Sequence, residues 1–205
     1  MYKYVIEGGY PVKGRITASG NKNAALPCIA ATVLADGQVT LRNIPEIEDV
    51  AVMFEVLVHL GAKVHKIGPH EWTIDPCGIT KRDVPMEQAS KVRASILFAG
   101  PLLAKYGEAI LPPPGGDTIG RRRIDTHLLA LEELGARVST EPILKFSAVK
   151  LKGAPIFLDE ASVTGTENAI MAAVLAEGTT VLRNAASEPH VQDLCSMLVA
   201  MGAKI

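Results

Sequence analysis

Three prolines, three glycines, a carboxylate and a run of arginine stand together in Pro112-Pro113-Pro114-Gly115-Gly116-Asp117-Thr118-Ile119-Gly120-Arg121-Arg122-Arg123. Proline stiffens the approach, and glycine opens backbone shapes closed to other residues. Asp117 stands four residues before the triple arginine. Such a loop could bring an acid up to an anionic substrate. A surface loop with solvated charges is the alternative from this segment alone.

Three further segments carry residues able to do chemistry. In Ser19-Gly20-Asn21-Lys22-Asn23-Ala24-Ala25-Leu26-Pro27, a glycine turn leads from a predicted strand at 15–18 into a helix beginning beside Lys22. Backbone N–H groups at a helix start with a lysine beside them suit a phosphate or carboxylate. A plain helix cap with an exposed lysine would look the same, and the spacing is not that of a Walker A loop. Lys91-Val92-Arg93-Ala94-Ser95-Ile96-Leu97 opens an apolar helix expected to run to Gly100-Pro101. A cation there opposes the helix dipole, so Arg93 reads as a guanidinium grip on phosphate or as one half of a salt bridge. Ala161-Ser162-Val163-Thr164-Gly165-Thr166-Glu167-Asn168 repeats the turn-into-helix logic without a lysine. It suits a neutral ligand edge, or simply helix capping. His127, in Ile124-Asp125-Thr126-His127, reads as structural rather than catalytic.

The elements that must position these residues are repeated. Leu34-Ala35-Asp36-Gly37 through Leu41-Arg42-Asn43 matches Leu175-Ala176-Glu177-Gly178 through Leu182-Arg183-Asn184. Both runs close on Leu60-Gly61-Ala62-Lys63-Val64 or Met201-Gly202-Ala203-Lys204-Ile205. Gly37 to Gly61 and Gly178 to Gly202 are each 24 residues apart, and such register means duplicated units. A middle copy runs from Gly107 to Gly135, 28 residues, and its extra length falls around Pro112–Gly116. An insertion confined to one repeat marks a functional loop. Within a unit the pattern predicts a helix at 24–34 capped by Asp36-Gly37, a strand at 38–41, a helix at 49–60 ended by Gly61, and a hairpin from strands at 63–67 and 71–74. This is a mixed α/β domain with a hydrophobic helical interior. The third copy reaches Ile205 where its closing strands should begin, which leads us to expect a fragment or one piece of an assembly.

Composition narrows the field. A chain of 205 residues, 48% hydrophobic and 21% charged, can bury a real core as one large or two small domains. A net charge of -1 argues against a nucleic-acid protein, while the local arginine cluster suits a small phosphorylated ligand. No run of about 18 apolar residues predicts a membrane span, and Met1–Gly9 does not read as a signal peptide. Cys28, Cys77 and Cys195 are odd in number and lack metal spacing, so reduced core cysteines in a cytoplasmic protein are expected.

Taken together, Ser19–Pro27, Val92-Arg93-Ala94-Ser95, Gly115-Gly116-Asp117-Thr118-Ile119-Gly120 and Gly202-Ala203-Lys204-Ile205 resemble the UDP-N-acetylglucosamine 1-carboxyvinyltransferase family of enolpyruvyl transferases. The resemblance runs in order over essentially the whole chain. The related shikimate-pathway transferase typically has Ser-Lys-Ser where this chain has Asn21-Lys22-Asn23. The resemblance implies an α/β inside-out barrel of repeated βαβαββ-type units, the third incomplete. It implies transfer of enolpyruvate from phosphoenolpyruvate to the 3-hydroxyl of UDP-N-acetylglucosamine, with no metal or organic cofactor. By the same resemblance Lys22, Arg93 and Arg122 face anionic groups, with Lys22 and Asp117 catalytic, and Asn23 holds the reacting centre. Arg122, Arg123, Ile124, Asp125, Thr126 and Ser162 would bind the UDP-sugar. Residues 1–21 would belong to another domain, and 22–205 to the domain carrying the catalytic loop.

Two departures stand out. Many family members carry Cys where this chain has Asp117, as the proton donor on a closing loop; some carry Asp. A desolvated carboxylic acid can serve as that donor. A carboxylate is a poorer nucleophile toward an epoxide than a thiolate, so resistance to the epoxide fosfomycin is expected. The second departure is length, because the family's chain is roughly double this one. The chain alone is therefore expected to be inactive. Two other readings are a truncated paralogue that binds a UDP-sugar or regulates a full-length partner, and the shikimate-pathway transferase.

Overall fold

The computed structural model describes residues 3–116 and 123–205. The first repeat unit begins with helix α1 (Lys22–Ala31), then strand β1 (Val39–Leu41), helix α2 (Glu48–Leu60) and the strands β2 (Lys63–Gly68) and β3 (Glu71–Asp75). The second has a short helix α3 (Met86–Lys91), a 3-10 segment Arg93–Phe98 and helix α4 (Ala99–Tyr106), then β4 (Glu108–Leu111), α5 (Asp125–Glu133), β5 (Arg137–Ser139) and β6 (Leu144–Ser147). The third runs β7 (Pro155–Phe157), α6 (Val163–Ala173), β8 (Val181–Arg183) and α7 (Pro189–Ala200).

The duplication expected from the glycine spacing is present in three dimensions. The first sheet has the order β1-β3-β2 and the second β4-β6-β5, the same topology with antiparallel neighbours. In the third unit β7 pairs parallel with β8, and an isolated parallel bridge Asp83–Ile110 marks the same position in the second. Asn43 and Asn184, which end the two Leu-Arg-Asn matches, both take left-handed backbone, with φ of 59° and 55°. Asparagine tolerates that conformation because its short polar side chain can bond locally; Asn184 Nδ2 donates to the Leu158 carbonyl at 2.9 Å.

Helices fill the centre and the small sheets lie outside. Ile29, Ala30 and Ala31 of α1, Leu102 and Leu103 of α4 and Ala169, Met171 and Ala172 of α6 are all buried. The alanines let these helices approach closely, while the sheets keep one face in solvent, as in the buried–exposed alternation of β6 and β7.

Three boundaries differ from expectation. The first helix ends at Ala31 and tightens into a 3-10 turn, Thr32–Leu34, so Asp36-Gly37 is not its immediate cap. Thr32 Oγ1 donates to the Ile29 carbonyl, and Lys105 Nζ reaches in from α4 to the Leu34 and Ala35 carbonyls at 3.0 and 2.6 Å. The helical run after Val92 does not stop at Gly100-Pro101. It changes from 3-10 to α at Ala99, which puts Pro101 in a first turn where its missing N–H breaks no ladder bond. The strand predicted at 15–18 does not form. No described residue pairs with that segment, and Val12 and Ile16 are 99% and 95% exposed; an extended chain becomes a strand only beside a hydrogen-bonded neighbour.

The cysteines are free, but none lies in the core, contrary to expectation: Cys28 and Cys195 are partly buried and Cys77 is exposed. It sits in the 3-10 turn Pro76–Gly78, its Sγ directed at the Asp36 carbonyl at 3.4 Å. Among the described residues, no helix is long and apolar enough to cross a membrane.

Candidate active site

The helices that open the three units bring their N-terminal turns to one place. A pocket of about 390 Å³ is lined by Asn23, Leu26 and Pro27 of α1, by Ala94 and Leu97 of the 3-10 segment, by Val163, Thr164 and Glu167 of α6, and by Glu188 and His190 at the start of α7. Orphan N–H groups at such turns carry partial positive charge and favour an anionic ligand.

At α1, Asn21 is the N-cap, its Oδ1 accepting from Asn23 N at 2.7 Å. Pro27 lies inside the helix and has no N–H to give the Asn23 carbonyl, which loses its ladder partner at the pocket wall. Lys22 points the other way, its Nζ 2.9 Å from Asp49 Oδ2 in the first turn of α2. Both side chains are half-exposed, and such a pair is worth only about 0–1 kcal/mol, so an anion can compete for the lysine.

Arg93 lies between the two flanks of the segment 117–122. Its Nη2 donates to the Arg123 carbonyl at 2.7 Å. On the other flank, Gly115 N and Gly116 N donate to the Ala89 and Ser90 carbonyls at 2.8 and 3.0 Å. A Cβ on Gly115 would lie 2.1 Å from the Ser90 oxygen, and Gly116 (φ 92°) packs on the Arg93 backbone. The glycine pair is thus required by close approach to α3 and the 3-10 segment. Asp117 and Arg122 lie outside the described residues.

Beyond the flank, Arg123 pairs with Asp125 and, at 3.4 Å, with Asp159. The Thr126 hydroxyl donates to the other Asp159 oxygen at 2.8 Å. These partners hold the Arg123 guanidinium above its usual range, Asp125 most strongly. Ile124 is half-buried and packs against the core. Asp159, absent from the sequence reading, is therefore the hinge of this cluster. Nothing in its local sequence marks it, since it approaches across 33 residues.

His127 is structural, as its sequence context suggested, and a four-member network orients it. Gly100 N donates to Asn168 Oδ1, which identifies Nδ2 as the amide nitrogen; that nitrogen lies 2.8 Å from both the Ile96 carbonyl and His127 Nδ1. Nδ1 is then an acceptor, so the ring proton sits on Nε2 and is donated to Thr164 Oγ1 at 3.1 Å. Burial, and secondarily the Arg93 charge, lowers the His127 pKa to about 4, keeping the ring neutral. Thr164 is left with its own hydroxyl hydrogen to donate, and it lines the pocket. Ser162 caps α6, its Oγ accepting from Gly165 N at 3.2 Å, so capping is the role seen for it.

The sequence-predicted residues therefore divide. Arg93, Arg123, Asp125 and Thr126 meet in one cluster, and Asn23 lines the pocket beside Thr164. Lys22 turns toward Asp49. Missing from the sequence reading were Asp159, Glu188 and His190, which only the packing of α5, α6 and α7 brings in.

A sequence profile described as EPSP synthase (3-phosphoshikimate 1-carboxyvinyltransferase) matches residues 6–205, and the chain belongs to that family. Within it, the chain is 62% identical over 205 residues to the UDP-N-acetylglucosamine 1-carboxyvinyltransferase of Treponema denticola and 60% identical to that of Treponema pallidum. The match covers all of this chain and 48% of each relative, so the chain spans about half the length of the relatives it matches. Among solved structures, the enolpyruvyl transferase NikO from Streptomyces tendae superposes with a TM-score of 0.82 at 23% identity, covering 97% of this chain and 47% of that one. EPSP synthase from Acinetobacter baumannii gives 0.72 at 20% identity, covering 93% and 44%. The fold is that of the enolpyruvyl transferases.

Proposed function

We propose that this chain supplies one wall of the active site of a UDP-N-acetylglucosamine 1-carboxyvinyltransferase, acting in peptidoglycan synthesis in the cytoplasm. The bond from C2 of phosphoenolpyruvate to the phosphate oxygen breaks, and a bond from C2 to the sugar 3-oxygen forms. Phosphate leaves with the proton balance closed by the sugar hydroxyl. A proton is added at C3 and later removed. Asp117 donates it, Lys22, Arg93 and Arg122 stabilise the anionic groups, and Asn23 holds the reacting centre. Arg123, Ile124, Asp125, Thr126 and Ser162 bind the UDP-sugar. Residues 1–21 belong with a second domain that completes the cleft. Their exposed apolar side chains, among them Val12 and Ile16, support that placement.

The observation that carries the reading is identity of 62% along the entire chain to a relative of that name. The cluster of Arg93, Arg123 and Asp159 around the base of the 117–122 segment supports it. A thermal-shift series with UDP-N-acetylglucosamine and with shikimate 3-phosphate tests it, since a ligand stabilises the state it binds. Stabilisation by the UDP-sugar alone is expected; stabilisation by shikimate 3-phosphate alone overturns the reading. The chain by itself is inactive in this proposal, and turnover by a purified 205-residue chain would refute that part.

A further inference from the structure

Two residues that line the pocket each carry a buried polar atom without a hydrogen-bond partner among the described residues: Glu167 Oε1 and His190 Nε2. Glu167 is 1% exposed, deep in α6. An unpaired buried polar atom is destabilising, and native chains retain few without a use.

The surroundings of Glu167 define what such a use can be. Burial first, then the Glu188 carboxylate, push its pKa up to about 8, so near pH 7 it is an uncharged acid with one O–H to donate and oxygens to accept. The α1 side presents Leu26, Pro27 and Cys28, the thiol itself pushed up to about 12 by burial, Asp193 and Glu167. The 3-10 segment presents Ala94 and Leu97, and α7 presents Glu188 and His190, with Asp193 beyond toward Cys28. On the α4 side Gly100 N donates to Asn168 Oδ1 of α6, and His127 of α5 is neutral.

Among the described residues no lysine or arginine lines this pocket, and the exposed Glu188 does. The Glu188 carboxylate offsets the partial positive charge of the helix N-termini, so this end favours uncharged groups over a phosphate or carboxylate. The cations Lys22 and Arg93 are instead the chain neighbours of the pocket residues Asn23 and Ala94. Charged and uncharged recognition are therefore separated within one site.

We propose that Glu167, together with His190, is a specificity-determining residue that hydrogen-bonds the uncharged hydroxyl or amide groups of the sugar in a nucleotide sugar. Its anionic portion is held on the cationic side. This inference rests on the sugar-nucleotide reading above.

Isothermal titration of the chain with UDP-N-acetylglucosamine and with UDP tests both levels. The wild-type chain is expected to prefer the sugar nucleotide over UDP by about tenfold. E167Q, which keeps a donor and an acceptor, retains that preference. E167V loses it while its UDP affinity is unchanged, and H190A reduces it several-fold. H190A also serves if E167V does not fold. An undiminished preference in E167V or H190A overturns the role of these residues and leaves the sugar-nucleotide reading standing. Equal wild-type affinity for UDP with and without the sugar overturns the role as well. Failure of the wild type to bind either ligand overturns the sugar-nucleotide reading itself and the inference with it.

Discussion

Arg93 Nη2 lies 2.7 Å from the carbonyl oxygen of Arg123, thirty residues away, while the Arg93 backbone packs on Gly116. One residue thereby touches both flanks of the segment 117–122, with its guanidinium on one side and its backbone on the other. In the proposed function the same residue also recognises an anionic group.

R93K keeps the charge but loses the planar fork, so it cannot satisfy the carbonyl and a ligand together. Titration is expected to show a loss of about tenfold in affinity for UDP-N-acetylglucosamine. Wild-type affinity in R93K would remove Arg93 from the site.

Gly115 and Gly135 separate two reasons for glycine. At Gly115 a Cβ would sit 2.1 Å from the Ser90 oxygen, whereas at Gly135 there is open space but a φ of 94°. G115A is expected to destabilise by about 3 kcal/mol and G135A by about 1 kcal/mol. Urea unfolding of the two variants at one pH reads the difference, and equal losses would contradict it.

The raised pKa of Glu167 links stability to pH with a definite sign. The unfolded state loses its proton near 4.5 and the folded state near 8. Between these values only the folded protein holds the proton, so the stabilising contribution is whole below about pH 4.5 and is lost as pH rises to about 8. Measured against E167Q, the wild type is expected to lose on the order of 3 kcal/mol between pH 5 and 8.5. A flat difference would mean that Glu167 is ionised in the folded state.

His127 works in the opposite direction. Its pKa falls from 6.5 to about 4, so the folded state stays neutral where the unfolded state takes up a proton. Its contribution is present above about 6.5 and is lost as pH falls through about 4. Long-range proton–nitrogen correlation spectra at pH 7 should show Nε2 protonated and Nδ1 bare. The reverse tautomer would break the chain of donors leading to Thr164.

The Asp117 proposal makes a chemical prediction for the full-length enzyme carrying this chain. Wild type should resist fosfomycin, and D117C should be inactivated with time, gaining one covalent adduct by mass spectrometry. An active but resistant D117C would count against the assignment.

Much of the fold was legible because glycine spacing is a local record of backbone geometry. Gly61, Gly107, Gly135, Gly178 and Gly202 all take positive φ, and all end a repeated element or turn. The three units, the hairpins of the first two and the extra length of the second followed from that. Residues 15–18 misled because a strand is a relation between two segments, and an apolar alternation says nothing about whether its partner is at hand.

The site divides along the same line. Residue type and order along the chain were enough to single out Lys22 and Arg93, since cations beside helix starts are readable one segment at a time; Asn23, Arg123, Asp125 and Thr126 came in through the family resemblance. Only the tertiary structure decided that Lys22 faces Asp49, that Asp159 ties Arg123 to Thr126, and that Glu167 is buried beside Glu188 and His190. Those facts arise from contacts between elements far apart in the chain. Burial, the cause of the Glu167 and His127 shifts, is a property of the packed assembly that no stretch of residues carries alone.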